Sequence, residues 1–314
     1  MRSDETHVPT RNVPVRLIAV DIDGTLLDGR GRLPERNRQA VRRAIAGGIH
    51  VVVVTGRAFH HALPIARALG GTDAPRAAPS RAGGGTGTRG GAPVDDLVLI
   101  VSNGALTKRA DGTTLDSRVV PRDTALAIVS AMRPRHAGVA VIFDRPDARQ
   151  YVYEGIDWDH PQRAWYYQRN RAFISRVEPI DAALTEDPIQ VGFTGGVAQM
   201  RALEAELRRL PAASGVTRLL TEYAARDFSL LDIIAGGCSK GTALAAWARR
   251  LEVDRSAVMA VGDNLNDREM LAFAGQPVVM GNAVAPLKAL GWPLTATHDA
   301  CGLADAIEAV LPPL

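Results

Sequence analysis

Acidic side chains follow two apolar segments that are far apart in the chain. Asp21 and Asp23 come directly after the segment 15–20, and Asp263 comes after the segment 257–261. If both segments are strands of one parallel sheet, their carboxyl ends lie at the edge where open α/β sheets bind ligands. Two carboxylates held 4 Å apart there repel by about 4 kcal/mol at an effective dielectric constant of about 20. Mg²⁺ prefers oxygen ligands and relieves such repulsion, so we expect a magnesium site.

Three further residues are expected to reach the same edge of the sheet. Thr55 follows the apolar segment 50–54, and Lys240 and Asp267 stand at the starts of predicted helices. A lysine and a divalent cation together offset most of the carboxylate charge, so that a phosphate dianion can approach a carboxylate. Because phosphate monoesters hydrolyse very slowly in water, their cleavage calls for covalent catalysis and charge stabilisation. The residues therefore indicate phosphoryl transfer.

Each motif has a structural explanation when it is considered alone. The segment 21–23 could be a capped turn, and Ser239 could be the N-cap of an ordinary helix. The segment 236–242 (GGCSKGT) has a superficial likeness to a Walker A loop, but glycine follows its lysine. The acidic segment 262–267 lacks the twelve-residue spacing of a calcium loop. The interpretation depends on all the motifs occurring in one order, each after the appropriate element.

Two kinds of predicted structure alternate along the chain. Strand–helix repeats in 14–117 and 235–314 predict a Rossmann-like α/β core, a parallel sheet with helices on both faces. Between them, 118–234 is rich in aromatic residues and predicts an inserted α+β cap domain with an antiparallel sheet. Residues 1–13 and the Gly-rich segment 71–93 lack apolar periodicity. We expect a disordered tail and a flexible insertion, respectively.

Composition argues against several classes of protein. The chain has 314 residues and a net charge of +3, and its basic residues are interspersed with acidic ones, so we expect no nucleic-acid partner. It contains no run of 18 apolar residues and no apolar signal segment near residue 1, so we expect no membrane association. Its two cysteines cannot build a disulfide framework or a cysteine metal site. We expect a cytoplasmic protein.

Together the motifs resemble those of the haloacid dehalogenase-like (HAD) superfamily, in its Cof-type branch of phosphatases with a class IIB cap. The resemblance covers nearly the whole chain apart from the tail and the segment 71–93. The segments that carry it are DIDGTLL at 21–27, VVVTGR at 52–57, SNGA at 102–105, CSKGTAL at 238–244, GDNLND at 262–267 and MGNA at 280–283. It implies a Mg²⁺-dependent phosphatase that acts on a small phosphorylated metabolite, such as a sugar phosphate, through an aspartyl-phosphate.

The resemblance also implies roles for the three aspartates that follow strands. Asp21 would be the nucleophile. Asp23 would protonate the leaving group and then activate water as a base. Mg²⁺ would be held by the side chains of Asp21 and Asp263 and by the main-chain carbonyl of Asp23.

The remaining site residues would bind phosphate or support the metal site. The resemblance implies that Thr55 and the amide of Gly56 bind phosphate, and that Lys240 neutralises charge on the nucleophile and the phosphoryl group. Asn266 and Asp267 would support the metal ligands directly or through water.

Two alternative functions remain open at this point. A phosphomutase or phosphotransferase of the same fold would keep both Asp21 and Asp23. A catalytically idle binding or regulatory module would be expected to lose the nucleophile, the acid, the lysine or the metal aspartate, and all of them are present.

Several other residues allow two interpretations. Arg57 could bind phosphate or cap a helix, and His60 and His61 are expected at the surface or in packing. Six cap residues could contact the substrate or form the cap's own core: Asp157, Trp158, His160, Trp165, Tyr166 and Tyr167.

Overall fold

The computed structural model of the chain describes residues 13–70, 97–146 and 149–312, which form two β-sheets and the helices around them. The predicted tail, apart from Val13, and the predicted insertion 71–93 lie outside these ranges. The strands are β1 Leu17–Val20, β2 His50–Val54, β3 Val98–Val101, β4 Leu106–Arg109, β5 Thr114–Ser117, β6 Val139–Ile142, β7 Tyr151–Glu154, β8 Ile174–Arg176, β9 Gln190–Gly195, β10 Val216–Tyr223, β11 Phe228–Ala235, β12 Val258–Gly262 and β13 Gln276–Val279. The helices are α1 Glu35–Ala46, α2 Phe59–Gly70, α3 Arg122–Met132, α4 Pro161–Asn170, α5 Val197–Leu207, α6 Lys240–Arg250, α7 Arg268–Phe273, α8 Ala285–Lys288 and α9 Gly302–Glu308. Among the described residues, no helix has the length and hydropathy needed to cross a membrane.

The larger sheet has the strand order β13-β12-β1-β2-β3-β4-β5. The first five strands in this order run parallel, as predicted, and β4 and β5 add an antiparallel edge. These two edge strands were not predicted from the sequence. Of the four residues of β5, only Leu115 is partly buried, so the sequence carries no periodic apolar signal there.

Helices cover both faces of this sheet. Ile18 and Val20 of β1 pack with α1, α2 and α9, whereas Leu17 and Ala19 pack with α6, α7 and α8 on the opposite face. A strand that is buried on both faces reads as a continuous apolar run, which is why β1 and β2 could be recognised in the sequence. The predicted Rossmann-like core is confirmed.

The second sheet has the order β10-β11-β9-β6-β7-β8 and is antiparallel except for the β7–β8 pair. Helices α3 and α5 cover its outer face. Its inner face, which includes Ile142, Tyr151 and Ile234, packs in the same apolar cluster as α1, α2 and α9 of the core. The predicted α+β architecture is confirmed, but the parallel strand β8 and the polar, aromatic-rich helix α4 were not anticipated.

Candidate active site

The carboxyl ends of three neighbouring parallel strands bring the predicted site residues together. Strand β1 lies between β12 and β2 in the sheet. Asp21 follows β1, Asp263 follows β12 and Thr55 follows β2, so the three residues occupy one edge. The amide of Asp21 donates to the carbonyl of Val261 at 3.1 Å, which extends the β1–β12 pairing to the nucleophile candidate itself.

Lys240 connects the nucleophile candidate to the motif after β12. Its Nζ donates to Oδ1 of Asp21 at 2.7 Å and to Oδ1 of Asp267 at 2.6 Å. The lysine is 1% exposed, and its position is fixed by the first turn of α6. There Ser239 and Thr242 form a reciprocal capping box, which satisfies free amides at the start of the helix.

Asp267 holds the loop that carries Asp263. Oδ2 of Asp267 accepts hydrogen bonds from the amides of Asp263 and Asn264, each at 3.0 Å. Both of its carboxylate oxygens therefore already have donors, since Oδ1 is bonded to Lys240. Asp267 is thus held by protein donors on both oxygens, and its supporting role stays a prediction.

Three carboxylates, two buried and one partly buried, form a group that fits a hard divalent cation. Asp21, Asp263 and Asp267 each offer an oxygen, and these oxygens lie within 4.8 Å of one another. Burial, followed by repulsion from Asp267, raises the pKa of Asp21 well above its ordinary value. The same two causes raise the pKa of Asp263 to about 7. A cation bound by Asp21 and Asp263 would stabilise the ionised forms of these two carboxylates, and carboxylate oxygen is the ligand type that Mg²⁺ prefers.

Lys240 remains charged in spite of its burial. Burial by itself would lower the pKa of its ammonium group, but the adjacent carboxylates of Asp21 and Asp267 raise that pKa above its ordinary value. The Lys240 ammonium group alone cannot neutralise the charge of all three carboxylates. A second cation would therefore be favoured in the site.

Asp23 and Arg57 lie at the open side of the site. The side chain of Asp23 is 62% exposed, unlike the buried Asp21. It accepts hydrogen bonds from Arg57 Nε at 2.7 Å and from Arg57 Nη2 at 2.5 Å. Arg57 therefore pairs with the acid–base candidate in this conformation, an arrangement that differs from both sequence interpretations of this residue.

Thr55 and Gly56 directly follow β2, the strand next to the one that leads into Asp21. Thr55 is buried, and its Oγ1 accepts a hydrogen bond from the amide of Arg57 at 3.2 Å. A Cβ at Gly56 would lie 2.9 Å from Oδ1 of Asn103, so glycine lets these two segments approach closely.

Two asparagines that were not assigned a role also lie in the site. Asn282 Nδ2 donates to the carbonyl of Gly24 at 2.8 Å, and its contact with Asp263 Oδ2 is 3.4 Å. Asn103 accepts from Nδ2 of Asn266 at 3.2 Å. The segments SNGA and MGNA contain these asparagines. Their resemblance to family segments was the sequence feature that pointed to this part of the site. Nothing in their spacing indicated which side chains they would meet.

Gly24 is the first position at which the geometry predicts a mutational effect. It has φ +76°, and a Cβ there would clash with Oδ2 of Asp263. We expect Gly24→Ala to displace Asp263, to abolish most metal-dependent activity and to destabilise the fold by about 1–3 kcal/mol. Gly31→Ala is the matched control, because Gly31 has φ +71° but no atom within 4 Å of the new Cβ. Equal loss of activity in both variants would contradict this account.

Trp158 and two tyrosines of α4 form an aromatic cluster that packs against the core. Trp158 lies parallel to Tyr166, with ring centroids 6.3 Å apart, and 5.0 Å from Tyr167. His61 on α2 meets Tyr166 edge-on at 4.9 Å. His60 lies 4.2 Å from Phe173. The packing expected for the two histidines is therefore observed, in a buried contact between core and cap. Nothing is described for the side chain of Trp165.

One carboxyl group lies on the inner face of the cap sheet. Asp232 of β11 accepts a hydrogen bond from Gln190 Nε2 at 2.7 Å, and burial raises its pKa to about 7. The folded protein thus binds this proton more tightly than the unfolded chain does, so this group's contribution to stability declines as pH rises from about 4 to 7.

Asp232→Asn should remove this pH dependence. We compare the unfolding free energy of the variant with that of the unsubstituted protein. The difference, variant minus unsubstituted, should increase by about 2 kcal/mol from about pH 5 to about pH 8. Denaturant unfolding of both proteins at these two pH values measures the difference, and shifts of Asp21 and Asp263 largely cancel in it. A difference that does not change with pH would contradict the prediction.

Comparison with known proteins agrees with the fold. The model of the haloacid dehalogenase-like hydrolase family matches residues 18–307. The chain is 27% identical to phosphatase YwpJ of Bacillus subtilis over 95% of this chain and 100% of the relative. It is 28% identical to an HMP-PP phosphatase of Serratia proteamaculans over 88% and 87% of the two chains.

A solved structure supports the same architecture. A haloacid dehalogenase-like hydrolase from Bacteroides thetaiotaomicron superimposes with a TM-score of 0.74 at 23% identity, covering 95% of this chain and 100% of that chain. The fold, the motif order and the family match agree, and the chain belongs to the haloacid dehalogenase-like hydrolases.

Proposed function

We propose that this protein is a Mg²⁺-dependent phosphatase that hydrolyses a small phosphorylated metabolite through an aspartyl-phosphate at Asp21. The observation that carries the proposal is the buried ion-paired group in which Lys240 bridges Asp21 and Asp267 beside Asp263. The named relatives are phosphatases, which supports a phosphoric monoester hydrolase. A sugar phosphate or similar compound is the substrate class we favour.

The first step transfers the phosphoryl group to the protein. An oxygen of Asp21 attacks phosphorus, and the bond between phosphorus and the leaving oxygen breaks. Asp23 gives its proton to that leaving oxygen, which departs as an alcohol. Asp23 must first leave its ion pair with Arg57, and its 62% exposed side chain is free to do so.

The second step regenerates Asp21. Water attacks the phosphorus of the aspartyl-phosphate, Asp23 accepts a proton from that water, and the bond to Asp21 breaks to release inorganic phosphate. Thr55, the amide of Gly56 and the Lys240 ammonium group would hold the phosphoryl oxygens through both steps. Donors fixed in place before the reaction stabilise the developing charge without reorganisation.

Asp21, Asp263 and the main-chain carbonyl of Asp23 would hold Mg²⁺, which when bound supplies charge neutralisation for the phosphoryl group. Asp267 is assigned to positioning because both of its oxygens already accept hydrogen bonds from protein donors. Asn266 would support the site through its contact with Asn103.

We further propose that residues 14–117 and 235–314 form the catalytic core and that 118–234 form a cap that closes over it. Contact between β10 and the segment Leu265–Asp267 supports this arrangement. Closure over the strand ends would exclude water and add substrate contacts. With two cysteines in the whole chain, we place the enzyme in the cytoplasm.

Release of inorganic phosphate tests the function directly. The assay uses a panel of phosphorylated sugars, nucleotides and cofactors, with Mg²⁺ or with EDTA. We expect Mg²⁺-dependent release from at least one class of compound. Turnover in EDTA would contradict the metal requirement. Transfer of phosphate to a second substrate instead of water would indicate a phosphomutase or phosphotransferase.

Magnesium should also stabilise the folded protein. A ligand that binds only the folded state at about 100 times its Kd adds about 2.7 kcal/mol of stability. We expect Mg²⁺ to raise Tm in the unsubstituted protein and to have little effect on Asp263→Asn, which lacks a charged ligand. Thermal denaturation with Mg²⁺ and with EDTA measures this, and an equal rise in both proteins would exclude Asp263 as a ligand.

A further inference from the structure

Asn282 joins three segments of the chain at the catalytic edge of the sheet. It lies in the turn that follows β13, and its side chain reaches two segments that are remote in sequence. Nδ2 donates to the carbonyl of Gly24 at 2.8 Å, and Oδ1 accepts from the amide of His298 at 2.8 Å. Both distances are those of normal hydrogen bonds. The side chain is therefore held from two sides.

This pair of hydrogen bonds requires both ends of a carboxamide group. A main-chain amide only donates, so the amide of His298 determines that the oxygen of the side chain lies on its side. The nitrogen then faces the carbonyl of Gly24, which only accepts. An aspartate at position 282 would lack the donor for Gly24, and a leucine would make neither hydrogen bond. The two partners together thus explain the residue type at this position.

The turn that carries Asn282 is fixed to the segment that carries Asp263. The amide of Met280 donates to the carbonyl of Gly262 at 3.0 Å, and the amide of Val284 donates to the carbonyl of Asp263 at 3.0 Å. The side chains also approach each other, since Nδ2 of Asn282 lies 3.4 Å from Oδ2 of Asp263. The position of Asn282 relative to Asp263 is therefore set by the main chain on both sides of it.

Gly24 belongs to the turn that carries the main-chain carbonyl of Asp23. Gly24 has φ +76° and, as a glycine, has more backbone conformations available than other residues do. A hydrogen bond to its carbonyl restricts the two peptide groups that flank it. One of these peptide groups contains the carbonyl oxygen of Asp23, which is one of the proposed Mg²⁺ ligands. Asn282 thus restrains this oxygen relative to Asp263, another proposed ligand.

We propose that Asn282 is a positioning residue that sets the separation between the carbonyl of Asp23 and the carboxylate of Asp263 before Mg²⁺ binds. It acts through its hydrogen bonds and is not itself a ligand. The inference rests on the proposed function and deepens it by naming the residue that joins two parts of the metal site. Residues that orient metal ligands in this way typically contribute 10- to 100-fold to metal affinity or activity.

The test measures Mg²⁺ binding to the full-length protein by isothermal titration calorimetry without substrate. For Asn282→Ala we expect the Kd for Mg²⁺ to rise about 10- to 100-fold. The Tm of the metal-free protein should fall by roughly 5 °C or less, because only two hydrogen bonds of a partly buried side chain are lost. In the phosphate-release assay, kcat at saturating Mg²⁺ should stay within about threefold, since bound metal restores the ligand positions.

Asn37 provides a matched control on the same turn. It is fully buried on α1, where its Nδ2 donates to the carbonyl of Leu26 at 2.9 Å and its Oδ1 accepts from the amide of Ala304 at 3.2 Å. These bonds are of the same two types, but neither partner is a proposed metal ligand or lies next to one. Asn37→Ala should lower the Tm of the metal-free protein at least as much as Asn282→Ala does. Its Kd for Mg²⁺ should stay within about threefold of the unsubstituted value.

A second pair of variants leaves Asn282 in place. His298 is the first residue of a short 3-10 turn, a position that accommodates proline. His298→Pro removes the amide that holds Oδ1 of Asn282, whereas His298→Ala removes the imidazole and keeps the amide. Because one hydrogen bond differs between them, we expect the Kd for Mg²⁺ to be about three- to tenfold higher in the proline variant.

Three outcomes would overturn the inference. One is an unchanged Kd for Mg²⁺ in Asn282→Ala. Another is an equal rise of the Kd in Asn282→Ala and Asn37→Ala, which would indicate a general loss of structure. The third is the same Kd in both His298 variants, and this pair decides the test if Asn282→Ala does not fold. An unsubstituted protein that binds no Mg²⁺ would instead contradict the proposed function itself.

Discussion

Asp21→Asn is expected to lower kcat by at least about 10⁴-fold on every substrate, because the variant lacks the oxygen nucleophile that accepts the phosphoryl group. The side chain keeps its shape, and Lys240 keeps its second partner, Asp267. Burial and repulsion from Asp267 raise the pKa of Asp21, so a charged Asp21 is costly in the folded protein. The neutral asparagine does not carry this cost. We therefore expect the Tm in the absence of metal to stay the same or to rise. Phosphate release and thermal denaturation of the same preparation measure the two effects.

Asp123→Asn is the matched control for this loss of activity. It makes the same chemical change at an exposed side chain whose ion pair is with the adjacent Arg122. Its kcat should equal that of the unsubstituted protein. If Asp21→Asn keeps more than about a hundredth of the activity, Asp21 is not the nucleophile, since loss of such a group costs several orders of magnitude.

Lys240→Met is expected to lose both stability and activity. The substitution leaves Asp21 and Asp267 without their shared cation in a site where Lys240 is 1% exposed. Removal of one partner from a buried ion pair costs about 3–5 kcal/mol, which corresponds to a Tm lower by roughly 10 °C. Loss of the charge on the transferring phosphoryl group should lower kcat about 10²–10³-fold.

The double substitution separates the two roles of this lysine. Lys240→Met combined with Asp21→Asn removes one of the two buried carboxylates that have lost their cation. We therefore expect its Tm to be higher than that of Lys240→Met alone, while activity stays absent. Lys288→Met is the control, because Lys288 is only partly buried and donates to a main-chain carbonyl rather than to a carboxylate. A Tm for Lys240→Met equal to that of the control would show that the buried pair contributes nothing to stability.

The positions of the site residues could be predicted where the sheet alone determines them. Asp21, Thr55 and Asp263 follow apolar strands, and the parallel order of β12, β1 and β2 makes their ends adjacent. Lys240 could be predicted because a serine N-cap marks the start of its helix. These signals are local in the sequence, and the fold then brings them together.

Contacts between individual side chains could not be predicted in the same way. The pairing of Arg57 with Asp23 and the contacts of Asn103 and Asn282 join segments that are remote in sequence and carry no periodic pattern. In the cap, Asp232 sits between apolar residues of a strand, and only the register of β9 and β11 puts it beside Gly192. The functional meaning of a single polar residue in such a strand depends on its neighbours across the sheet.

The central claim is the covalent intermediate on Asp21, and chemical trapping tests it most directly. The enzyme is mixed with Mg²⁺ and its best substrate, quenched during turnover and reduced with borohydride, which converts an aspartyl-phosphate to homoserine. Mass spectrometry of the peptides then locates the modified residue. We predict homoserine at position 21, dependent on substrate and Mg²⁺ and absent from Asp21→Asn. Turnover with homoserine at another position, or at none, would contradict the account.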